Sequence, residues 1–224
     1  MKKIKIMKFV LTLVAVVGSM MISHAQSDEG HFIYDIKMES SDPQIEAQLS
    51  MLAGSTLEIM FKGKQSKQVM AMGSMMTTTT ITDSETKEGV MLMNGMMGKF
   101  AARMDLDDET EEEDVDMDVE LVDETKDILG YTCHKAIIID GDGNETTFWY
   151  SKDFSSPETE SQYIKKGIPG MPLAFSVETP QMNMSFEAKE INEKIKKAKK
   201  EFNMDIPEGY EEKSIEDLQG AMGG

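Results

Sequence analysis

The chain has 224 residues, 22 of them methionine, and a formal net charge of −18. So acidic a surface repels nucleic-acid phosphates and anionic headgroups at long range, which argues against nucleic acid as a partner and leaves cationic ligands, metal ions and basic surfaces compatible. The one cysteine, Cys133, cannot close an internal disulfide.

The N-terminus reads as an export signal. Lys2, Lys3, Lys5 and Lys8 form a basic start, and Phe9 to Val17 is an apolar run too short to span a bilayer. Ser23-His24-Ala25 then supplies a small-x-small cleavage site before Gln26. Residues 1–25 are expected to leave with their four lysines, which deepens the charge from −18 to −22. No cysteine follows the cleavage site, so a lipid anchor is not indicated, and no transmembrane segment is expected in the mature chain. The protein is expected to be periplasmic or secreted, with residues 26–219 forming a single antiparallel β domain and 220–224 a frayed tail.

Phe32, Tyr34, Ile36 and Met38 alternate with polar residues, the pattern of a half-buried first strand. Asp42 and Pro43 then mark a helix start, Ile45, Leu49 and Leu52 share one helical face, and Gly54 can end the helix in the left-handed region. Leu57, Ile59 and Phe61 resume strand alternation, and Lys67 to Met72 returns as a strand after Gly63-Lys64. Met70-Ala71-Met72-Gly73-Ser74-Met75-Met76 is echoed by Met91-Leu92-Met93-Asn94-Gly95-Met96-Met97. The echo is too short for a solenoid and suggests two neighbouring strands, each bending at a glycine-containing step. Between the two halves, Thr77 to Thr82 is a strand by β-branching, and Lys99 to Met104 extends the second.

Residues 105–118 are nearly all acidic and are expected to form a solvated, mobile loop. Val119 and Leu121 resume a strand that leads into the hairpin around which the chain is organised. Its arms are Thr132 to Ile139 and Glu145 to Ser151, joined by Asp140-Gly141-Asp142-Gly143-Asn144. Cys133 is expected to be buried, and Trp149 to pack in a region covered on both sides. A helical turn after Pro157 and a bend at 167–172 follow. A last hairpin, Leu173 to Glu178 and Met184 to Ile191, turns at Thr179-Pro180-Gln181. Ile195, Ala198 and Phe202 fall on a short helix, and Ser214 with Asp217 suits a capped terminal turn. The fold class expected is mainly β (α+β). It is a large curved antiparallel sheet or incomplete barrel, with one N-terminal helix and short C-terminal helical turns against it.

Ile128-Leu129-Gly130-Tyr131-Thr132-Cys133-His134-Lys135, Trp149-Tyr150 and Ile206-Pro207-Glu208-Gly209-Tyr210 resemble the motifs of a group of exported bacterial proteins of unknown function. Gly167-Ile168-Pro169-Gly170-Met171-Pro172 is similar to a variant of the Gly-Leu-Pro-Gly-Leu-Ile signature of a neighbouring exported family, departing from it at Met171 and Pro172. The first group is similar in layout to the lipoprotein-carrier (LolA/LolB) fold. That resemblance implies a curved, incomplete antiparallel barrel with helices over a concave face able to hold acyl chains.

The methionine echo is the most unusual local feature. Thioethers are soft ligands suited to Cu(I), which would enlist Met70, Met72, Met75, Met76, Met91, Met93, Met96 and Met97. The same residues suit the lining of a flexible apolar groove, which is favoured because no His or Cys reinforces the cluster. Alternation puts Met70 with Met72, and Met91 with Met93, on shared faces; with Leu49 and Leu52 they are the expected ligand-binding residues. Asp140, Asp142 and Asn144 imitate the start of a calcium loop, but Glu145 stands where glycine is needed and Ser151 where a bidentate glutamate is needed. Cys133 and His134 are adjacent, so a strand turns them to opposite faces. No serine elbow, zinc spacing or phosphate loop appears, so neither catalytic residues nor a cofactor is expected. The expected function is non-enzymatic binding of an apolar small molecule or lipid. The alternatives are Cu(I) handling and an envelope protein that acts through a partner.

Overall fold

The computed structural model describes residues 26–96, 98–107, 117–141, 145–155, 167–178, 182–215 and 217–218. Outside them lie residues 1–25, where an export signal is expected, 108–116 of the acidic run, 142–144 of the expected hairpin turn, the Pro157 connection, the expected 179–181 turn, the tail from 219, and Met97.

Among the described residues, twelve strands form one open sheet. In chain order they are β1 (Glu29–Glu39), β2 (Thr56–Lys62), β3 (Gln65–Met72), β4 (Met76–Asp83), β5 (Glu88–Gly95), β6 (Gly98–Asp105), β7 (Met117–Ile128), β8 (Tyr131–Asp140), β9 (Glu145–Ser151), β10 (Met171–Glu178), β11 (Asn183–Asn192) and β12 (Glu211–Glu212). Between β1 and β2 lie α1 (Pro43–Leu49) and the 3-10 turn Ser50–Leu52; α2 (Ala198–Glu201) follows β11. The spatial order is β12-β6-β5-β4-β3-β2-β1-β11-β10-β9-β8-β7. Two up-and-down meanders, β1 to β6 and β7 to β11, therefore meet at one seam, β1 against β11. Every strand pairing is antiparallel except β12 on β6, a short parallel addition that nothing in the local sequence foreshadows.

Alternation along β1 puts Phe32, Tyr34 and Ile36 into the main core, where they are 0%, 0% and 7% exposed. Across the seam Tyr34 faces Ala188, and Ile36 faces Phe186. Phe186 stacks on Phe175 of β10, and the Tyr34 hydroxyl donates to the Pro172 carbonyl at 2.7 Å. On the other face of the β1–β6 meander, Met60, Ile81 and Val90 are capped by Phe202, Ile195 and Ala198. Strands β2, β4 and β5 are thus apolar on both sides in part, which is why their burial departs from simple alternation. Glu29 ties this cap to the sheet. Its carboxylate accepts from the Ile195 backbone N–H at 2.8 Å, from Lys62 Nζ at 3.1 Å and from Lys194 Nζ at 3.4 Å.

The sequence-marked hairpin is β8–β9, paired Cys133↔Ser151 to Ile139↔Glu145. Cys133 is fully buried, and burial pushes its thiol up to about 11. Ala136, Ile138, Phe148 and Tyr150 form a second cluster with Ile168. Trp149 differs from expectation. It is half-buried, packs at the margin of the main core, and lies under Lys126 Nζ at 4.5 Å and Lys135 Nζ at 5.8 Å from the ring centre. The aromatic residues that fill the core here are its neighbours, because alternation turns Phe148 and Tyr150 to the face that Ile168 covers.

The methionine echo also differs. Met70 and Met72 lie on β3, Met91 and Met93 on β5, and β4 runs between them. Each half of the echo is the end of an outgoing strand and the turn that follows it. Repetition with the period of a hairpin places such strands next-but-one in a meander, not side by side.

Two measurements follow from this packing. Phe148→Ala should cost about 3–5 kcal/mol in chemical denaturation, the range for an emptied aromatic core site, and Trp149→Ala only about 1–3 kcal/mol. Glu29 is held below the usual carboxylate range, chiefly by the Ile195 N–H, against burial, with Lys62 assisting. A lowered folded value means stability present above the unfolded carboxylate range and lost as pH falls through the folded one. Glu29→Gln should cost about 1 kcal/mol at neutral pH, because the lysines are solvent-screened. The deficit should vanish in acid below that window.

Candidate functional site: a methionine-lined groove

Directly paired residues in antiparallel strands project to the same face. One such row runs Leu57, Met70, Thr78, Met93 and Phe100 from β2 to β6. The next row toward the strand ends is Met72, Met76, Gly95 and Gly98. Its last two positions carry no side chain, so the β5–β6 end of the row is bare between Met76, Met93 and Phe100. The 3-10 turn brings Leu52 over this gap. A cavity of about 440 Å³ results, lined by Leu52, Met72, Met75, Met76, Met93, Gly95, Met96, Gly98 and Phe100. Met93 is buried, whereas Met75 and Met96, in the two hairpin turns, are 38% and 85% exposed.

Ser55 and Gly73 seat the roof of the groove. Ser55 is 1% exposed, donates through Oγ to the Leu52 carbonyl at 2.6 Å, and accepts from the Gly73 N–H at 3.0 Å. Its own carbonyl accepts from the Ile36 N–H at 3.1 Å, which ties the turn to β1. Gly73 has φ +54, and a Cβ there would stand 2.7 Å from the Met51 carbonyl oxygen. Only glycine satisfies both conditions. Helix α1 starts as its sequence suggests, with Asp42 Oδ1 accepting from the Gln44 N–H at 2.8 Å and Pro43 at its first position. None of its residues is fully buried, and Ile45 and Leu49 remain half-exposed.

Of the six residues expected to bind a ligand, Leu52, Met72 and Met93 line the groove. Leu49 stays on α1 outside the lining. Met70 shares a row with Met93 but packs against the main core. Met91 stands one row back, in the cluster of Met93, Ala102 and Leu218. Of the eight thioethers of the Cu(I) reading, five converge on the groove: Met72, Met75, Met76, Met93 and Met96. Met70 and Met91 do not, and Met97 lies outside the described residues. Sequence reading missed Phe100, Gly95, Gly98 and Ser55. The first three are signalled only by hairpin register, and Ser55 by no local pattern.

A second cavity, of about 450 Å³, is polar and lies on the opposite face. Two polar contacts cross it: His31 Nε2 and Glu58 Oε1 are 2.6 Å apart, and Lys67 Nζ donates to Glu201 Oε2 at 2.8 Å. The Lys67 hydrogen bond holds Glu201 below the usual carboxylate range. Cys133 belongs to the main core, away from both cavities. Among the described residues, no helix is long and apolar enough to cross a membrane.

Fold and groove together define an open, mainly antiparallel β-sheet protein with an apolar groove at one end of its β3–β6 meander. The chain belongs to the family described as Domain of unknown function (DUF4412), whose model matches residues 32–167. The whole groove lies within that span, and β10 to β12 lie beyond it. No curated protein matches the chain. Among solved structures it is similar to PNGF-II in its P21 crystal form, with a TM-score of 0.48 and 15% identity over 88% of this chain and 33% of that one. The C2 form gives a TM-score of 0.47 and 14% identity over 86% of this chain and 32% of that one. The chain thus spans about a third of the length of those structures.

The seating of the roof is testable with two glycines. Gly63 has φ +59 with open space around it, so Gly63→Ala should cost only the left-handed penalty of about 1 kcal/mol. Gly73→Ala should cost about 1–3 kcal/mol more, from overlap with Met51, in urea denaturation of the two variants.

Proposed function

We propose that the protein is an exported, non-enzymatic binding module for an apolar ligand such as a lipid or acyl chain, held in the methionine-lined groove. The observation that carries this reading is the groove itself. It is a cavity of about 440 Å³ whose side chains are all apolar, open at Met75 and Met96. Its size falls among small-molecule sites, and flexible thioethers suit ligands of variable shape. Burial of about ten methylenes would release on the order of 8 kcal/mol gross, before the cost of ordering the chain. The likeness of the hairpin and Ile206-Pro207-Glu208-Gly209-Tyr210 motifs to exported proteins of lipoprotein-carrier layout agrees with this reading. So does the basic, then apolar, then small-residue start of the chain. In this reading the sheet curves, α1 and its 3-10 turn lie over the groove face, and an envelope partner supplies or receives the ligand.

Native mass spectrometry after gentle purification should show a bound lipid, and delipidated protein should take up a fluorescent acyl probe. Leu52→Lys, at a half-exposed position, should leave the fold intact and weaken uptake about tenfold, since a charge is placed over the groove. Failure of the wild type to carry or take up any lipid, or uptake unchanged in Leu52→Lys, would count against the reading.

A further inference from the structure

We propose that Met72, Met76 and Met93 form a thioether site for a soft monovalent cation, Cu(I), at the floor of the groove, with Met75 and Met96 at its mouth. The site uses the same groove as the apolar-ligand reading but does not rest on that reading. Met72 is paired directly with Met76, and Met93 stands two residues from Gly95, the partner of Met76. Opposed Cβ atoms are about 5 Å apart and diagonal ones about 7–8 Å. A methionine has three rotatable bonds, so side chains at these spacings on one face can bring three sulfurs to a single ion. Gly95 and Gly98 occupy the rest of the row and add no side chain to it, so the space beside the three thioethers is bordered only by Leu52 and Phe100. The two remaining thioethers stand 38% and 85% exposed, which gives an ion arriving from solvent a sulfur-lined entry.

Met72, Met76 and Met93 are strand residues, and β-branched or aromatic side chains fit a strand better than methionine does. What methionine adds is sulfur, and neutral thioethers favour Cu(I) over harder cations. A thioether carries no proton to lose, so the affinity should not vary with pH as a His or Cys site does. The excess negative charge of the chain raises the local concentration of cations at its surface. Cys133, the one thiol of the chain, is fully buried in the main core and is not available to the ion.

The test supplies Cu(I) anaerobically as the complex of a weak coloured chelator and reads its transfer to the protein. A single equivalent should transfer, equally at mildly acid and neutral pH, and Cys133→Ser should behave as the wild type. Met72→Leu/Met76→Leu/Met93→Leu keeps the apolar volume and removes the sulfur; its uptake should fall about tenfold or more. No transfer to the wild type, or undiminished transfer to the folded triple variant, would overturn the proposal. Should the triple variant fail to fold, copper-edge X-ray absorption of the loaded wild type decides: a sulfur shell supports the site, and a shell of nitrogen or oxygen overturns it. Acyl-probe uptake is measured separately on the metal-free wild type, which keeps the two readings apart: Cu(I) transfer with a sulfur shell supports this site whether or not the wild type takes up the probe.

Discussion

The β1–β11 pairing is the interaction on which the rest of the structure depends. Every other neighbour in the antiparallel sheet is also a neighbour in sequence, so each meander can assemble by local hairpins. The seam joins them, over contacts such as Lys189 Nζ to Asp35 Oδ1 at 2.6 Å, 154 positions apart, with a short parallel bridge from Ser27 to Phe154 beside it. Closing so long a loop costs entropy before any contact forms. Burial of Phe32, Tyr34, Ile36, Phe186 and Ala188 along the seam offsets that cost, at about 1.5–3 kcal/mol for each large side chain. Polar links at its ends fix the register: Tyr34 to Pro172 reaches into β10, and Glu29 gathers Lys62, Lys194 and the Ile195 N–H.

The groove is a consequence of the meander that the seam anchors. Strand β1 carries the Ile36 amide that holds Ser55, Ser55 holds Leu52 and Gly73, and these set the roof over the strand ends. The floor follows from pairing alone, because a hairpin period puts a methionine-bearing strand end and its turn at the same level twice, on β3–β4 and β5–β6. Glycines at 95 and 98 then leave a space that neighbouring side chains border and do not fill. A cavity built this way needs no local strain. It persists because the backbone beneath it is fully paired.

Much of this was legible in the chain. Period-two alternation marked β1 and β2, β-branching marked β4, and the aromatic run marked β9. The capping pair Asp42-Pro43 marked the start of α1, and Ser214 Oγ does accept from the Asp217 N–H at 3.1 Å. Alternation is local, and local patterns survive folding when one face is covered and the other is not. What stayed hidden was non-local. The seam, the parallel β12 on β6, and the insertion of β4 between the two methionine strands depend on which strands meet. Residue identity does not record that. The same limit explains the groove: Met72 and Met93 were visible as apolar strand residues, while Gly95, Gly98, Phe100 and Ser55 acquire their part only through register. Aliphatic residues on both faces of β8 suggested cover on both sides of Trp149, but the face it shares with Cys133 covers it only in part, while the opposite face buries Phe148 and Tyr150.

The central claim is that five particular thioethers, drawn from β3, β4, β5 and the turns between the strands, surround one binding space. The most direct measurement is NMR of the protein labelled at its methionine methyl carbons, titrated with an acyl probe. Shift changes should be confined to Met72, Met75, Met76, Met93 and Met96, with Met60, Met171 and Met184 unmoved. Changes centred on Met38, Met70 and Met184 would place the ligand in the main core instead. Absence of any change at saturating probe would contradict the groove as a binding site.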